Sequence, residues 1–138
     1  MKLTVLLATC DRYDTVLPLC LMSIINQSHP PNRVVLIDDS INKKFYDYTI
    51  LKNILILFKE KGIEFSYFYG KNKGMVPALQ IGLDNISDGW VFKTDDDNIL
   101  SYNTLELFVK NIRKNIGAMG GVIIDKGFKT YQKNNKYY

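Results

Sequence analysis

The sequence predicts an α/β fold, a three-layer α/β/α sandwich built around a mostly parallel sheet. Two observations predict it. Five short apolar runs alternate with stretches of helical period, which is the pattern of successive βαβ units. Several of those runs hold consecutive apolar residues, as strands do when helices cover both faces of their sheet. The 138 residues, 46% of them apolar, suffice for one domain with its own core.

In chain order the strands are expected at Leu3 to Ala8, Arg33 to Ile37, Ile63 to Tyr69, Trp90 to Lys93 and Ala118 to Ile124. Between them, Val16, Leu17, Cys20 and Ile24 share one helical face, as do Tyr48, Leu51, Leu55 and Phe58. Val76, Leu79, Leu83 and Ile86 predict the apolar face of a third helix. A fourth carries Leu105, Phe108, Val109 and Ile112 behind an Asn103 cap, with Glu106 three residues on. Gly62 stands where the second helix needs a left-handed residue to end it.

Residues 1–125 form the expected domain, and residues 126–138 a basic tail without helical or strand period. The net charge of +4 belongs to that tail, through Lys126, Lys129, Lys133 and Lys136, because basic and acidic residues balance before it. A nucleic-acid-binding face is therefore not expected. The tail reads as a solvated terminus or, with its tyrosines, as a contact for a membrane surface or an acidic partner. No apolar stretch approaches the ~18 residues of a membrane span, and Asp11 arrives too early for a signal peptide, so a cytoplasmic location is expected. Cys10 and Cys20, with one histidine in the whole chain, argue for reduced thiols rather than a disulfide framework or a zinc site.

Right-handed crossovers bring the C-terminal ends of parallel strands to one edge, where ligands bind in open α/β sheets. The residues just past the strands are Thr9, Cys10, Asp11 and Arg12, then Asp38, Asp39 and Ser40, then Gly70 to Gly74, then Thr94 to Asn98. Carboxylates held that close together call for a cation among them. Oxygen donors without a histidine or thiolate cluster favour Mg²⁺ or Mn²⁺, which completes its shell with water and substrate phosphates. If residues 95–97 are extended, Asp95 and Asp97 lie on one side and Asp96 on the other, so the outer pair is the metal candidate.

Each of these features also has a plain structural reading. Asp95-Asp96-Asp97 can be an ordinary turn, and Asp38-Asp39-Ser40 a helix cap or a base and ribose contact. Asn72-Lys73-Gly74 opens a helix whose free N–H groups attract anions, yet the same residues make turns. Arg12 suits phosphate oxygens through its planar fork, or pairs with Asp11 or Asp14. His29, beside two prolines at the opposite edge, reads as structural, and Trp90 as core.

LTVLLATCDR, SIINQS, VVLIDDS, NKGMVPALQ and VFKTDDDNIL come in an order and spacing that resembles glycosyltransferase family 2, over Leu3 to about Ile124. The resemblance implies the Rossmann-like glycosyltransferase A fold and a nucleotide-diphosphate sugar donor, UDP-linked, with Mn²⁺ or Mg²⁺. It places Thr9, Asp11 and Arg12 around the base and phosphates, Asp38 and Asp39 at uracil and ribose, Asn72 and Gly74 beside the phosphates, and Asp95 with Asp97 at the metal. Asp96 is the alternative ligand. Cys10 stands where an aromatic is frequent in such proteins, and Gln80 where an asparagine ends the N-x-G-x-x-x-A-x-N pattern. Similar enzymes carry an acceptor-binding half with the general base beyond the fifth strand; Asp125 is no convincing base, and none is assigned here. A donor-binding module without chemistry of its own is the alternative reading. A nucleotidyltransferase is the second alternative, although ATCDRYD lacks the glycine-rich basic loop that such enzymes use.

Overall fold

The computed structural model describes residues 1–42 and 44–121. Four strands, β1 (Leu3–Thr9), β2 (Arg33–Asp38), β3 (Glu64–Tyr69) and β4 (Trp90–Lys93), alternate with helices α1 (Val16–Ile25), α2 (Thr49–Glu60), α3 (Met75–Asp84) and α4 (Thr104–Asn111). A single 3-10 turn, Phe45–Asp47, precedes α2. The strands form one parallel sheet in the order β3-β2-β1-β4. The chain thus moves outward from β1 to β3 and returns through α3 to lay β4 on the other side of β1.

Register explains how the site forms. Thr9, Asp38 and Tyr69 lie level across β1, β2 and β3, whereas β4 ends at Lys93 opposite Leu6. The residues after Lys93 therefore run past the end of β1 and meet the loop that leaves it.

Strand alternation splits the core in two. Leu3, Val5, Leu7, Val34 and Leu36 point to the face covered by α1, α2 and α4, where Leu17, Leu21, Ile24, Leu51, Ile54, Phe58 and Leu105 are buried. Leu6, Val35 and Ile37 point to the other face, covered by α3 through Ala78 with Leu79 and Ile81 beside it. Burying each large apolar side chain stabilises the fold by about 1.5–3 kcal/mol.

Here the expected face of α3 needs correction. Val76 is 78% exposed and Leu83 is also exposed, while Ala78 and Gly82 face the sheet. Small residues win because the helix sits close: a Cβ on Gly82 would lie 2.3 Å from Leu6 Cδ1 and 3.3 Å from Ile37 Cδ1. α3 is the one helix on this face among the described residues, so its flanks stay open. Gly82→Ala is accordingly expected to destabilise. Overpacking costs about 1–3 kcal/mol, which exceeds the gain of up to about 1 kcal/mol from better helix propensity. Thermal unfolding checks this, and an unchanged or raised midpoint would mean that Leu6 can yield.

Gly62 adopts φ +68° past the end of α2, as the sequence implies. Pro18 and Pro77 both occupy the third position of their helices, where a missing N–H breaks no intrahelical bond. The expected capping box at α4 does not form. Asn103 makes no side-chain cap bond, and Glu106 pairs with Lys110 and accepts from Ser28 Oγ at 2.7 Å. The Leu105 N–H goes instead to Gln27 Oε1 at 2.9 Å. Of the expected fifth strand, residues 118–121 are not in a strand, and residues 122–124 lie outside the described residues, as do Asp125 and the basic tail.

Candidate functional site: a charged rim between β1 and β4

The rim forms where the strand order reverses, between β1 and β4, which is where open α/β sheets hold ligands. Backbone geometry there is unusual. Asp11 past β1 and Lys71 and Asn72 past β3 have φ values of +53°, +66° and +51°, and Gly74 has +94°. Asp and Asn tolerate the left-handed region; a lysine there costs on the order of 1 kcal/mol or more and persists only where its surroundings fix it.

Asp96 is the interior member of the acidic run, 6% exposed. Its Oδ2 accepts from Thr9 Oγ1 at 2.7 Å and its Oδ1 from Arg12 Nη1 at 2.8 Å. The same Nη1 lies 3.0 Å from Asp97 Oδ2, and Lys93 pairs with Asp95. Arg12 therefore bridges two carboxylates across the switch point, rather than pairing with Asp11 or Asp14. The hydrogen bond to Asp97 and the charge of Asp96 raise the pKa of its guanidinium above its ordinary value.

The strict alternation expected for residues 95–97 does not hold. A turn begins at Asp96, with Asn98 N bonded to Asp95 O at 3.3 Å, so Asp96 and Asp97 both reach Arg12. Asp95 and Asp97 keep half-exposed side chains at the rim. With Ala8, Met75 and Leu79 these charged residues line a cavity of about 180 Å³.

Asp38 and Asp39, expected at uracil and ribose, are both engaged by the protein. Asp38 is fully buried. Its Oδ2 accepts from the hydroxyls of Tyr13 at 2.7 Å and Tyr67 at 2.6 Å, and its Oδ1 from Ser40 N at 3.0 Å and Ser40 Oγ at 2.5 Å. Ser40 Oγ in turn accepts from Asp11 N at 2.8 Å, which ties the β1 loop to the buried carboxylate. Asp39 reaches across to the start of α3 and accepts from Lys73 N at 3.0 Å and Gly74 N at 2.7 Å. The helix N-terminus expected to attract an anion thus holds an internal one. Gly70 permits this approach, since a Cβ there would lie 2.5 Å from Asp39 Oδ1. Asn72 lies exposed on the same loop.

Tyr13, Tyr67 and Lys93 are absent from the sequence-derived site, and Ser40 is placed on the rim without a role of its own. Lys93 was within reach of sequence reasoning, as a cation two residues before Asp95 at a strand end. The two tyrosines carry no local signal, because their hydroxyls converge only once β1, β2 and β3 are aligned.

Burial pushes the Cys20 thiol from an ordinary 9.0 up to about 12, and the Tyr13 phenol from 10.0 up to about 12; Tyr67 is raised the same way. Between pH 9 and 12 the unfolded chain releases protons that the folded chain retains, so stability falls as pH rises through that window. Urea unfolding at pH 8, 10 and 11 should show a midpoint that declines steadily, with Cys20→Ala flattening the portion between pH 9 and 10. A midpoint independent of pH up to 11 would contradict these burials. Burial, then Asp11, also raises the Cys10 thiol, so it is not a poised thiolate.

The donor set suits a hard cation of the kind that takes one or two carboxylates and leaves the rest of its shell to water and phosphates. Among the described residues, Asp95 Oδ2 and Asp97 Oδ1 carry no protein hydrogen bond. Among the described residues no three histidine, cysteine or acidic side chains converge as a protein cage. Any cation here would share these carboxylates with Arg12 and Lys93.

No curated protein matches the chain. Among solved structures, S. aureus TarS superposes with a TM-score of 0.60 at 19% identity, covering 80% of this chain and 19% of TarS. S. aureus TarS 1-349 in complex with UDP gives 0.61 at 19% identity over 80% of this chain and 31% of that one. Its complex with UDP-GlcNAc gives 0.60 at 19% identity, over 80% and 30%. The chain therefore spans less than a third of these structures, and at this identity the likeness establishes the fold. The model of glycosyl transferase family 2 matches residues 4–137, nearly the whole sequence, and the chain belongs to that family.

Proposed function

We propose that the rim between β1 and β4 binds the diphosphate of a UDP-linked sugar, with a divalent cation, for transfer of the sugar to an acceptor hydroxyl. The observation that carries this reading is the charge of the cavity. Arg12 and Lys93 face Asp95, Asp96 and Asp97, which leaves one net negative charge where an anionic ligand must enter. A diphosphate enters favourably only with added positive charge. UDP and UDP-GlcNAc are held by TarS 1-349, which shares the fold.

Under this reading Asp95 and Asp97 would hold Mn²⁺ or Mg²⁺, and the chemistry such an ion would supply is neutralisation of the charge on the departing diphosphate. Arg12 turns its guanidinium from Asp97 to phosphate oxygens, and Lys93 adds a second cationic donor. Thr9 keeps Asp96 and the β1 loop aligned. Asp11, exposed at the loop tip, is left for the nucleoside, and Asn72 for the open side of the diphosphate.

A second reading has a specific observation behind it. Asp38, Asp39, Asp95, Asp96, Asp97 and Glu106 each have a hydrogen-bond or ion-pair partner, so no carboxylate among them stands free as a general base. Apart from the exposed Asp11 and Asp14 of the β1 loop, deprotonation of an acceptor would then fall to residues outside the described ones or to a partner chain, with this portion supplying donor binding. Calorimetry of UDP, GDP and UDP-GlcNAc with and without Mn²⁺ tests the donor site, and the absence of any metal-dependent nucleotide binding would defeat it. Metal-dependent binding without sugar transfer or hydrolysis would support the second reading.

A further inference from the structure

The segment that leaves the acidic turn runs along α1, and polar groups of α1 and of the loop just past it hold its backbone at successive points. Cys20 Sγ lies 3.5 Å from Asp95 O. Ser23 Oγ accepts from Leu100 N at 3.0 Å. Gln27, only 6% exposed, donates from Nε2 to Ser101 O at 2.8 Å and to Ser23 O at 3.0 Å, and accepts from Leu105 N at 2.9 Å. Ser28 donates its N–H to Tyr102 O at 2.8 Å and its hydroxyl to Glu106. Cys20 and Ser23 lie three apart on one face of α1, and Gln27, two residues past its end, extends that row beside the irregular segment.

That arrangement is costly unless it fixes something. The residues between Asp97 and Thr104 have no regular structure to satisfy their backbone groups, and a buried amide side chain is stable only when its donors and acceptor are matched. Gln27 matches all of its own groups with groups of this segment and of α1, and supplies the missing cap of α4. Upstream, the acidic turn is fixed by β4, Thr9 and Arg12; downstream, it is held by this row, by Ser28 N–H on Tyr102 O, by Leu100 packing on the core, and by Asn98, whose Nδ2 donates to Thr94 Oγ1 at 3.3 Å.

We infer that Gln27, with Ser23, is a positioning residue for the site: it sets the exit path of the Asp95–Asp97 turn and thereby the placement of the rim carboxylates. This rests on the donor-site reading for its functional consequence, but not for its geometry. Gln27→Leu keeps the apolar stem and removes every polar contact. Gln27→Glu keeps the acceptor for Leu105 N and removes the donors to Ser101 and Ser23. Ile54→Ala, a core truncation on α2 away from the rim, serves as a control that lowers stability without touching the row.

Two measurements decide it, both made well below the unfolding midpoint of each variant. Amide hydrogen exchange by NMR should quicken in Gln27→Leu not only at Leu105 but also at Leu100 and through Asp95 to Asn98, and less so in Gln27→Glu; Ile54→Ala should leave those amides at their wild-type order of protection. Titration of UDP with Mn²⁺ should weaken by roughly tenfold in Gln27→Leu, about one charge-assisted contact, and stay within twofold in Ile54→Ala. If only Leu105 exchanges faster and UDP binding is unchanged, Gln27 is a helix cap and the inference is overturned. If the wild-type chain binds no UDP, the donor-site reading fails, while exchange at Asp95 to Asn98 still accepts or rejects the positioning role.

Discussion

Replacing Asp38 with alanine is expected to cost about 3–5 kcal/mol, on the scale seen when one partner of a buried charged network is removed. The carboxylate has no exposure and receives hydrogen bonds from Tyr13, Tyr67 and both the backbone and hydroxyl of Ser40. Deleting it leaves two phenols and a hydroxyl without their acceptor, and each unsatisfied buried group costs about 1–3 kcal/mol. Tyr13 recovers part of this, since Asn42 O lies 3.0 Å from its hydroxyl. Asp38→Asn should fall about halfway. An amide has one accepting oxygen, whereas this pocket presents donors to both, so one pair of donors must face an NH₂ group. Urea unfolding at pH 7 measures both variants against a total stability that is about 5–15 kcal/mol for a domain. A loss below 1 kcal/mol for Asp38→Ala would mean that the tyrosines find water instead.

This also bears on how the site is held. Ser40 links Asp38 to the backbone of Asp11, so the loop carrying Cys10, Asp11 and Arg12 rests on the buried carboxylate. Asp39 does the corresponding work for the loop before α3. The acidic pair at the end of β2 thus braces the two loops that flank the cavity. A plain capping role and a ligand role were both open from sequence; the hydrogen bonds give each residue a bracing role, Asp39 at a helix other than the next one in the chain.

The four strands and the four helices within the described residues were legible because their apolar periods are long and consistent with one another. Buried runs such as Leu3 to Ala8 and Val34 to Ile37 leave little choice once helices alternate with them. The rim was legible for the same topological reason: parallel strands carry their following residues to one edge. What stayed hidden was pairing. Arg12 could have met Asp11 or Asp14 next to it, yet the short β4 brings Asp96 and Asp97 within reach from 84 and 85 positions away. The face of α3 was misjudged because larger residues were counted as core. Ala78 and Gly82 won by letting the helix approach the sheet, a tertiary effect that no period of large side chains reveals.

Opposite responses are expected from the two sides of the Arg12–Asp97 pair, and they separate a cation-assisted diphosphate site from a passive surface ion pair. Removing one negative charge by Asp97→Asn makes the lining of the cavity neutral. UDP alone should then bind no worse than to the wild type, while the gain in affinity on adding Mn²⁺ should shrink by about tenfold through loss of a ligand. Arg12→Gln makes the lining more negative by one charge. It should weaken UDP by about tenfold both with and without Mn²⁺, and tighten Mn²⁺ alone, because the cation no longer competes with a guanidinium for Asp96 and Asp97. Tenfold is about 1.4 kcal/mol, well under the roughly 4 kcal/mol of two charges 4 Å apart at a protein surface, because Arg12 and Asp97 are both about half exposed and solvent screens them. Raising the salt concentration should reduce the Arg12 effect and leave the coordination part of the Asp97 effect. Isothermal titration of UDP with and without Mn²⁺, together with Mn²⁺ binding followed by electron paramagnetic resonance, reads every arm. If both variants change UDP affinity in the same direction without metal, net charge does not govern entry to this cavity, and the reading of Arg12 and Asp97 as opposed partners in donor binding fails.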